Sequence, residues 1–339
     1  MRWLLYPFTL LYQWVTTVRN FLYDKGWRTS TSFSLPVISV GNLTVGGTGK
    51  TPHIAYLIAL LTPHHNIATL SRGYGRATKG FVKADDKSTA TTLGDEPLQF
   101  YMRYKETITV AVCESRVEGV KELIENDTPS LVLLDDAFQH RRIQPSLQIL
   151  LMDYHRPFYE DFPFPMGRLR ESRRGAQRAD IIIVSKCPDG LNEKSRQVIE
   201  KSIQPYKRAT TPVFFSGVQY GVPQRFDGKE AALATKVILV SGIAQPQRFE
   251  EHWQAPYTVV HHFIYKDHHT YTAKEVEQLI AQIEENTSVV CTEKDFVKLV
   301  RLVPTTYQKY FFFLPIHVYF LHEEAAFQQL IHQHLATFS

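Results

Sequence analysis

The chain has 339 residues, 44% of them hydrophobic and 21% charged, with a formal net charge of +4. That length supports about two domains with cores of their own, and so mild a charge gives no case for nucleic acid while permitting a phosphate or an anionic membrane as partner. Cys113, Cys187 and Cys291 lie far apart without metal-ligand spacing, which excludes a disulfide framework and fits a reducing cytosol.

The first element is unusual. Residues 3–18 carry no charge; Trp3, Leu4, Leu5, Phe8, Leu10, Leu11, Trp14, Val15 and Val18 are apolar, and Thr9, Gln13, Thr16, Asn20 and Asp24 form a polar stripe at helical spacing. As a helix the uncharged run reaches only ~24 Å, short of the ~30 Å hydrocarbon core, and no small-x-small cleavage site follows. Two readings stand: a helix packed on the protein's own core, or an amphipathic helix in a membrane interface. For the second, Trp3, Tyr6, Tyr12, Trp14, Tyr23 and Trp27 resemble an interfacial aromatic set, and Arg2, Arg19, Lys25 and Arg28 can meet anionic head groups.

Next comes a β-like run, 35–42, then Thr44-Val45-Gly46-Gly47-Thr48-Gly49-Lys50-Thr51 and an apolar helix, 54–61. Strand, glycine-rich turn and helix together cradle nucleotide phosphates: backbone N–H groups converge on the anion, Lys50 reaches the β/γ-phosphates and the Thr51 hydroxyl meets Mg²⁺. The strict motif has Gly where this chain has Thr44; Gly46, Gly47 and Gly49 still free the tight part of the turn.

Strand-like runs at 67–70, 108–112, 131–134, 147–152 and 181–184 alternate with helical patterns at 95–104, 115–125 and 193–203, which predicts a mostly parallel sheet with helices on both faces. Four of these runs end in polar residues at the edge where such sheets bind ligands. Leu131–Leu134 leads into Asp135 and Asp136, acids placed to hold Mg²⁺ beside the phosphate loop, followed by Gln139 and His140. Ser71-Arg72-Gly73-Tyr74-Gly75-Arg76 brings arginines that can meet phosphate, as can Arg116. Asp95 and Glu96 open a helix, where carboxylates complement the dipole. Ser185-Lys186-Cys187-Pro188-Asp189 only weakly resembles the guanine-reading Asn-Lys-x-Asp: the Asn is absent and the spacing is one residue too long.

Residues 212–235 read as a linker, with Gly217, Gly221, Pro223 and Gly228. A second α/β unit follows, with strands at 236–240, 257–265, 288–291 and 311–320, helices near 247–253 and 273–285, and a terminal helix at 323–335 able to pack on either unit. The organisation is thus a helix at 1–28, a phosphate-loop core at 29–211, the linker, and a smaller α/β domain at 236–339.

Taken in order, Asn42 to Pro52, Ser71 to Arg76, Gly94-Asp95-Glu96-Pro97, Asp135-Asp136-Ala137-Phe138-Gln139-His140, Gly167-Arg168-Leu169-Arg170-Glu171 and Asp267-His268-His269 resemble the lipid A 4′-kinase (tetraacyldisaccharide 4′-kinase) family over nearly the whole chain. Ala137, where Gly is usual, and Ser172, where Pro is usual, depart from its pattern without removing a reactive group. The resemblance implies a P-loop NTPase-like fold and transfer of the ATP γ-phosphate, with Mg²⁺, to the 4′-hydroxyl of an acylated glucosamine disaccharide 1-phosphate at the cytoplasmic face of a Gram-negative inner membrane. Beside an acylated substrate, the helix at 1–28 is read as amphipathic and membrane-associated; no obligate protein partner is inferred. The resemblance makes Asp95 the base and His268 its orienting partner, adds Glu171 to Thr51, Asp135 and Asp136 around the metal, and points to Arg72, Tyr74, Arg168 and Arg170 at the substrate, with Arg116 and Gln139 at the nucleotide. The competing class is a membrane-associated P-loop ATPase or GTPase switch that phosphorylates nothing.

Overall fold

The structure, a computed structural model, describes residues 2–253 and 255–338; Trp3 and Arg2 of the aromatic and basic sets have side chains outside that description. In chain order the elements are α1 (Tyr6–Asp24), β1 (Val37–Asn42), α2 (Lys50–Leu61), β2 (Ile67–Ser71), β3 (Val82–Lys83), α3 (Ala90–Leu93), α4 (Asp95–Tyr104), β4 (Ile108–Val112), α5 (Arg116–Asp127), β5 (Leu131–Asp135), β6 (Leu147–Asp153), β7 (Ile181–Ser185), α6 (Glu193–Ile203) and β8 (Val213–Tyr220). Then follow β9 (Gln224–Arg225), β10 (Lys236–Ser241), α7 (Pro246–Glu251), β11 (Thr258–Ile264), α8 (Ala273–Ala281), β12 (Thr287–Thr292), α9 (Glu293–Leu299), β13 (Phe311–Leu314), β14 (Ile316–Phe320) and α10 (Glu324–Ala336).

A nine-stranded sheet runs β14-β8-β7-β6-β1-β5-β2-β4-β3, parallel except for its two edge strands, and a five-stranded sheet runs β11-β10-β12-β13-β9. The strands at the centre of the large sheet are continuous apolar runs because both faces are covered. Ile38, Val40, Leu133 and Ile149 meet α2, α4 and α10 on one face, while Val37, Val132 and Leu134 meet α5 on the other and Leu150 and Ile182 pack toward α6. Successive residues of a strand point to opposite faces, so one sequence run feeds two cores.

Two expected boundaries are corrected. The stretch 212–235 is not a linker throughout: β8 is a strand of the large sheet and β9 an edge of the small one, so the crossing between them is confined to residues 221–223. The single strand expected at 311–320 divides around Pro315 into β13, in the small sheet, and β14, which pairs antiparallel with β8. Proline lacks the N–H a continuing strand needs. The smaller unit therefore ends near residue 315 and not at 339, and α10 lies on the large core, where Phe327, Ile331 and Leu335 join Ile54, Leu57 and Ile58 of α2.

Helix α1 is docked by its polar side. Thr9 Oγ1 accepts from Met166 N (3.1 Å), the Tyr12 hydroxyl donates to Arg170 O (2.9 Å) and Asn20 Nδ2 to Glu171 Oε2 (2.6 Å). Phe8, Leu11 and Trp14 face outward at 60–64% exposure, and Leu10, Val15, Val18 and Phe21 are exposed beside them. The reading of this helix as part of the protein's own core is thereby overturned for its apolar face. Among the described residues no helix is long and apolar enough to cross a membrane.

Candidate active site

The phosphate loop sits between the tip of β1 and α2. Gly49 caps α2 at φ +84°, a left-handed conformation that a side chain resists. Asn42, buried at the end of β1, donates to Thr48 Oγ1 (2.8 Å), and Ser185 Oγ, at the end of β7, donates to Thr48 O (2.8 Å). Thr44 has a reason to differ from glycine. It is extended and bridges to Leu169, with Val45 N donating to Arg168 O (2.9 Å) and Arg170 N to Leu43 O (2.8 Å). The first turn of the loop is thus a short ladder with the arginine-rich segment.

Lys186 donates to Asp153 Oδ2 (2.9 Å) and to Gly47 O, so the segment that weakly resembled a guanine reader braces the phosphate loop instead. His53, buried on the first turn of α2, spans Gly49 O (2.7 Å) and Ser216 Oγ of β8 (2.9 Å). Burial pushes its pKa down to about 4, so it stays neutral.

Lys50 Nζ stands 3.6 Å from Asp136 Oδ1, and Arg170 Nη1 holds the same carboxylate at 2.8 and 2.9 Å. Burial would raise Asp136, but Lys50, Arg170 and Arg116 outweigh it and hold it below the usual carboxylate range. Asp135, at the tip of β5, differs. It is 1% exposed and neither carboxylate oxygen has a hydrogen-bond partner among the described residues. Burial, with Glu96 and Asp136 nearby, pushes its pKa up. A buried carboxylate with two bare oxygens beside a phosphate loop suits a cation, and Thr51 on the first turn of α2 is the hydroxyl available to share it. Among the described residues no three His, Cys, Asp or Glu side chains form a metal cluster. An ion here would take its remaining ligands from phosphate and water.

Glu171 does not fit the metal role expected of it. It is fully buried, Oε1 accepts from Gln139 Nε2 (3.0 Å) and Arg178 Nη2 (2.8 Å), and Oε2 from Arg178 Nη1 (2.9 Å) and Asn20 Nδ2 (2.6 Å). Burial would raise its pKa; Arg178, Gln139 and Asn20 reverse that and keep it ionised. With both oxygens fully engaged, Glu171 fastens α1 and the arginine segment to the sheet edge. Gln139 has likewise spent its donors within the protein, donating also to Asn42 O (2.9 Å) and accepting from Arg170 (3.2 Å), which leaves no amide N–H for a nucleotide.

Arg116 is buried at the start of α5, where Nη1 donates to Cys113 O (2.9 Å). Burial lowers its pKa to about 10, which leaves it charged and facing Asp135 and Asp136. Arg116, Arg142, Arg72 and Arg19 all bear on His140, which burial first and these cations next bring down to about 4. Arg72 and Arg168 are exposed.

Asp95 opens α4 behind Gly94, whose φ of +94° and 2.9 Å approach of a would-be Cβ to Tyr74 O admit only glycine. That close packing sets the Tyr74 loop beside Asp95. From the other sheet's unit, His268 Nδ1 lies 3.0 Å from Asp95 Oδ2, its ring 5.6 Å from Tyr74, and its backbone at φ +61°. So the two residues 173 apart in sequence are brought together. Burial would raise Asp95, yet His268, Lys298 and Lys294 hold it below the usual range.

Helix α9, carrying these two lysines, is absent from the sequence-based expectation. The signal was there: Thr292 follows an apolar strand and caps Asp295 N, the [ST]-x-x-[DE] pattern of a helix start.

The family model described as LpxK, tetraacyldisaccharide-1-P 4′-kinase, matches residues 1–336. A tetraacyldisaccharide 4′-kinase of Flavobacterium psychrophilum is 41% identical over 337 residues, 98% of this chain and 96% of that protein. Its counterpart from Bacteroides thetaiotaomicron is 38% identical over 358 residues, 98% and 92% of the two. A crystal structure of LpxK from Aquifex aeolicus in complex with ATP aligns at a TM-score of 0.79 and 29% identity, covering 98% of this chain and 99% of that one. The family model over residues 1–336 and relatives of about 40% identity along nearly the whole chain place this chain in the tetraacyldisaccharide-1-phosphate 4′-kinase family.

Proposed function

We propose that this ATP-dependent kinase transfers the γ-phosphate of ATP to the 4′-hydroxyl of an acylated glucosamine disaccharide 1-phosphate, with Asp95 as the base. The observation that carries the assignment is the Asp95–His268 contact at 3.0 Å, made between the unit that holds the phosphate loop and the smaller unit. A sugar hydroxyl is a poor nucleophile, so a carboxylate that stays ionised beside the phosphates is what the chemistry requires. Lys50 neutralises the β/γ-phosphates, the loop N–H groups and the α2 dipole bind them, and Arg116 adds a buried positive charge beside Asp135 and Asp136. Thr51 and Asp135 would hold Mg²⁺, with Asp136 beside them; when bound, the ion supplies charge neutralisation at the phosphate oxygens. The exposed Arg72, Tyr74 and Arg168 border the Asp95 and phosphate-loop edges, where the acceptor's sugar and phosphate arrive, and Arg170 reaches the same edge through Asp136.

The deciding assay incubates the enzyme with labelled ATP or GTP and the tetraacylated disaccharide acceptor, and follows labelled lipid and free phosphate in parallel. Label on the acceptor from ATP supports the assignment; free phosphate alone identifies a P-loop hydrolase switch.

The apolar side of α1 supports work at a membrane interface, at the cytoplasmic face of a Gram-negative inner membrane where an acylated acceptor resides. Burying such a face stabilises association by about 25 cal/mol per Å² of apolar area. Removing residues 1–26 therefore reduces sedimentation with anionic vesicles and lowers activity on vesicle-embedded acceptor more than on a short-chain soluble one. Unchanged vesicle binding would mean that the helix only ties down the arginine segment.

A further inference from the structure

Helix α9 enters the site from the smaller unit and packs along α4, and two of its lysines end on the Asp95–His268 pair. Lys298 Nζ lies 3.4 Å from Asp95 Oδ2 and 3.5 Å from Asp295 Oδ1, with its side chain only 6% exposed and Tyr271's ring 5.5 Å away. Lys294 Nζ lies 3.1 Å from His268 Nε2 and 2.7 Å from Asp267 Oδ1. We infer that Lys298 and Lys294 are positioning residues for phosphoryl transfer: together they fix which oxygen of Asp95 is the base, and in which protonation state it waits. The inference rests on the reading of Asp95 as base.

An ammonium can only donate, so the contact from Lys294 makes His268 Nε2 an acceptor and puts the ring proton on Nδ1. That N–H then donates to Asp95 Oδ2. Lys298 approaches the same oxygen. Both partners thus occupy Oδ2, and among the described side chains none takes Oδ1, which is left to receive the proton of the acceptor hydroxyl. The positive charges also favour the ionised carboxylate, in a site where burial alone would favour the acid. Asp295 keeps Lys298 from swinging away: it is fully buried and anchored by Gly242 N (2.8 Å) and the Thr292 hydroxyl (2.6 Å).

The groups facing Asp95 are few. His268 and Asp267 come from the segment after β11, Lys294, Lys298 and Asp295 from α9, and Tyr74 from the loop after β2, with Glu96 next on α4 itself. Among the described residues, Lys298 is the lysine or arginine in direct contact with the carboxylate.

The test is the pH dependence of kcat in four full-length variants. Lys298→Met moves the acidic limb upward by about one pH unit, because an adjacent opposite charge lowers a carboxylate by 1–3 units. Turnover is then lost most at acidic pH and recovers as pH rises, with KM for ATP unchanged. Lys298→Arg returns the limb toward its original position, and Lys294→Met shifts it in the same direction by less. Arg103→Met breaks the neighbouring α4–α9 pair, Arg103–Glu293 at 3.1 Å, and leaves the limb in place. Lys298→Gln is read identically if the methionine variant does not fold. An unmoved limb in a folded Lys298 variant, or an equal shift in Arg103→Met, overturns the inference. Asp95→Asn assayed alongside separates the two readings. Retained turnover there removes the base, whereas an inactive Asp95→Asn with an unmoved Lys298 limb removes only the lysines' role.

Discussion

Asp95→Ala lowers the turnover number by about 10²–10⁴-fold, the usual contribution of a positioned general base, while the Kd for ATP stays near its original value. The separation follows from geometry, since Asp95 contacts His268 and Lys298 and, among the described residues, makes no side-chain bond to the phosphate loop. His268→Ala produces a smaller loss of the same kind. The double variant is scarcely worse than Asp95→Ala, because an orienting group has nothing to act on once the base is gone. Single-turnover transfer at saturating ATP gives the rates and equilibrium titration gives the affinity. Losses that multiply would show that the two residues act separately, and full turnover in Asp95→Asn would show that no base is required there.

Lys50→Ala lowers transfer by at least about 10²–10³-fold, the scale set by removing one group that meets developing charge, and leaves the thermal midpoint close to that of the parent. Lys50 makes one 3.6 Å ion pair, and its partner Asp136 keeps two hydrogen bonds from Arg170 at 2.8 and 2.9 Å. Asp136 keeps Arg170, and Arg116 still faces the buried Asp135 that Lys50 also offsets, so the fold loses little. Near-normal turnover in the folded variant would remove the phosphate-loop assignment.

What the sequence made legible was what is local. The strand–glycine–helix unit around Lys50, the acids after Leu134 and the central strands are each written in a few adjacent residues, and β2, β4, β5, β6 and β7 begin where their apolar runs begin. Partnerships between distant residues were not legible. Val213-Phe214-Phe215 is a short apolar run followed by Ser216 and Gly217 and resembles the start of a linker; it is a strand because Ile316–Phe320 pairs with it. The Tyr319 ring lies across Gly217, 2.2 Å from where a Cβ would stand, so any side chain there would have to displace the ring. The amphipathic pattern of α10 gives it an apolar face without saying which core receives it. Glu171 is one acid in an arginine-rich segment, and nothing in its neighbours announces that Arg178 and Asn20 consume it. For α1 the pattern was readable and the orientation was not, since a stripe of threonine, tyrosine and asparagine can face water or hydrogen-bond to protein.

The smaller unit leaves the large sheet after β8 and the chain returns at β14, so residues 224–314 form an insertion within the larger unit. The helix that carries the phosphate loop is sealed by what comes after that insertion: Tyr56 donates to Glu324 (2.7 Å), accepts from Gln328 (2.9 Å) and packs edge-on to Phe320. During synthesis, which runs from the amino terminus, α2 therefore emerges well before the strand and helix that complete its surroundings. The inserted unit has its own buried core, including Ile238, Val240, Val289 and Phe311, and can settle while the larger one still lacks an edge. Ribosome-bound chains stopped before residue 316 should accordingly show a protease-resistant insertion and a nucleotide loop that is not yet competent. Binding of ATP would then report the arrival of β14 and α10, not merely the presence of its binding motif.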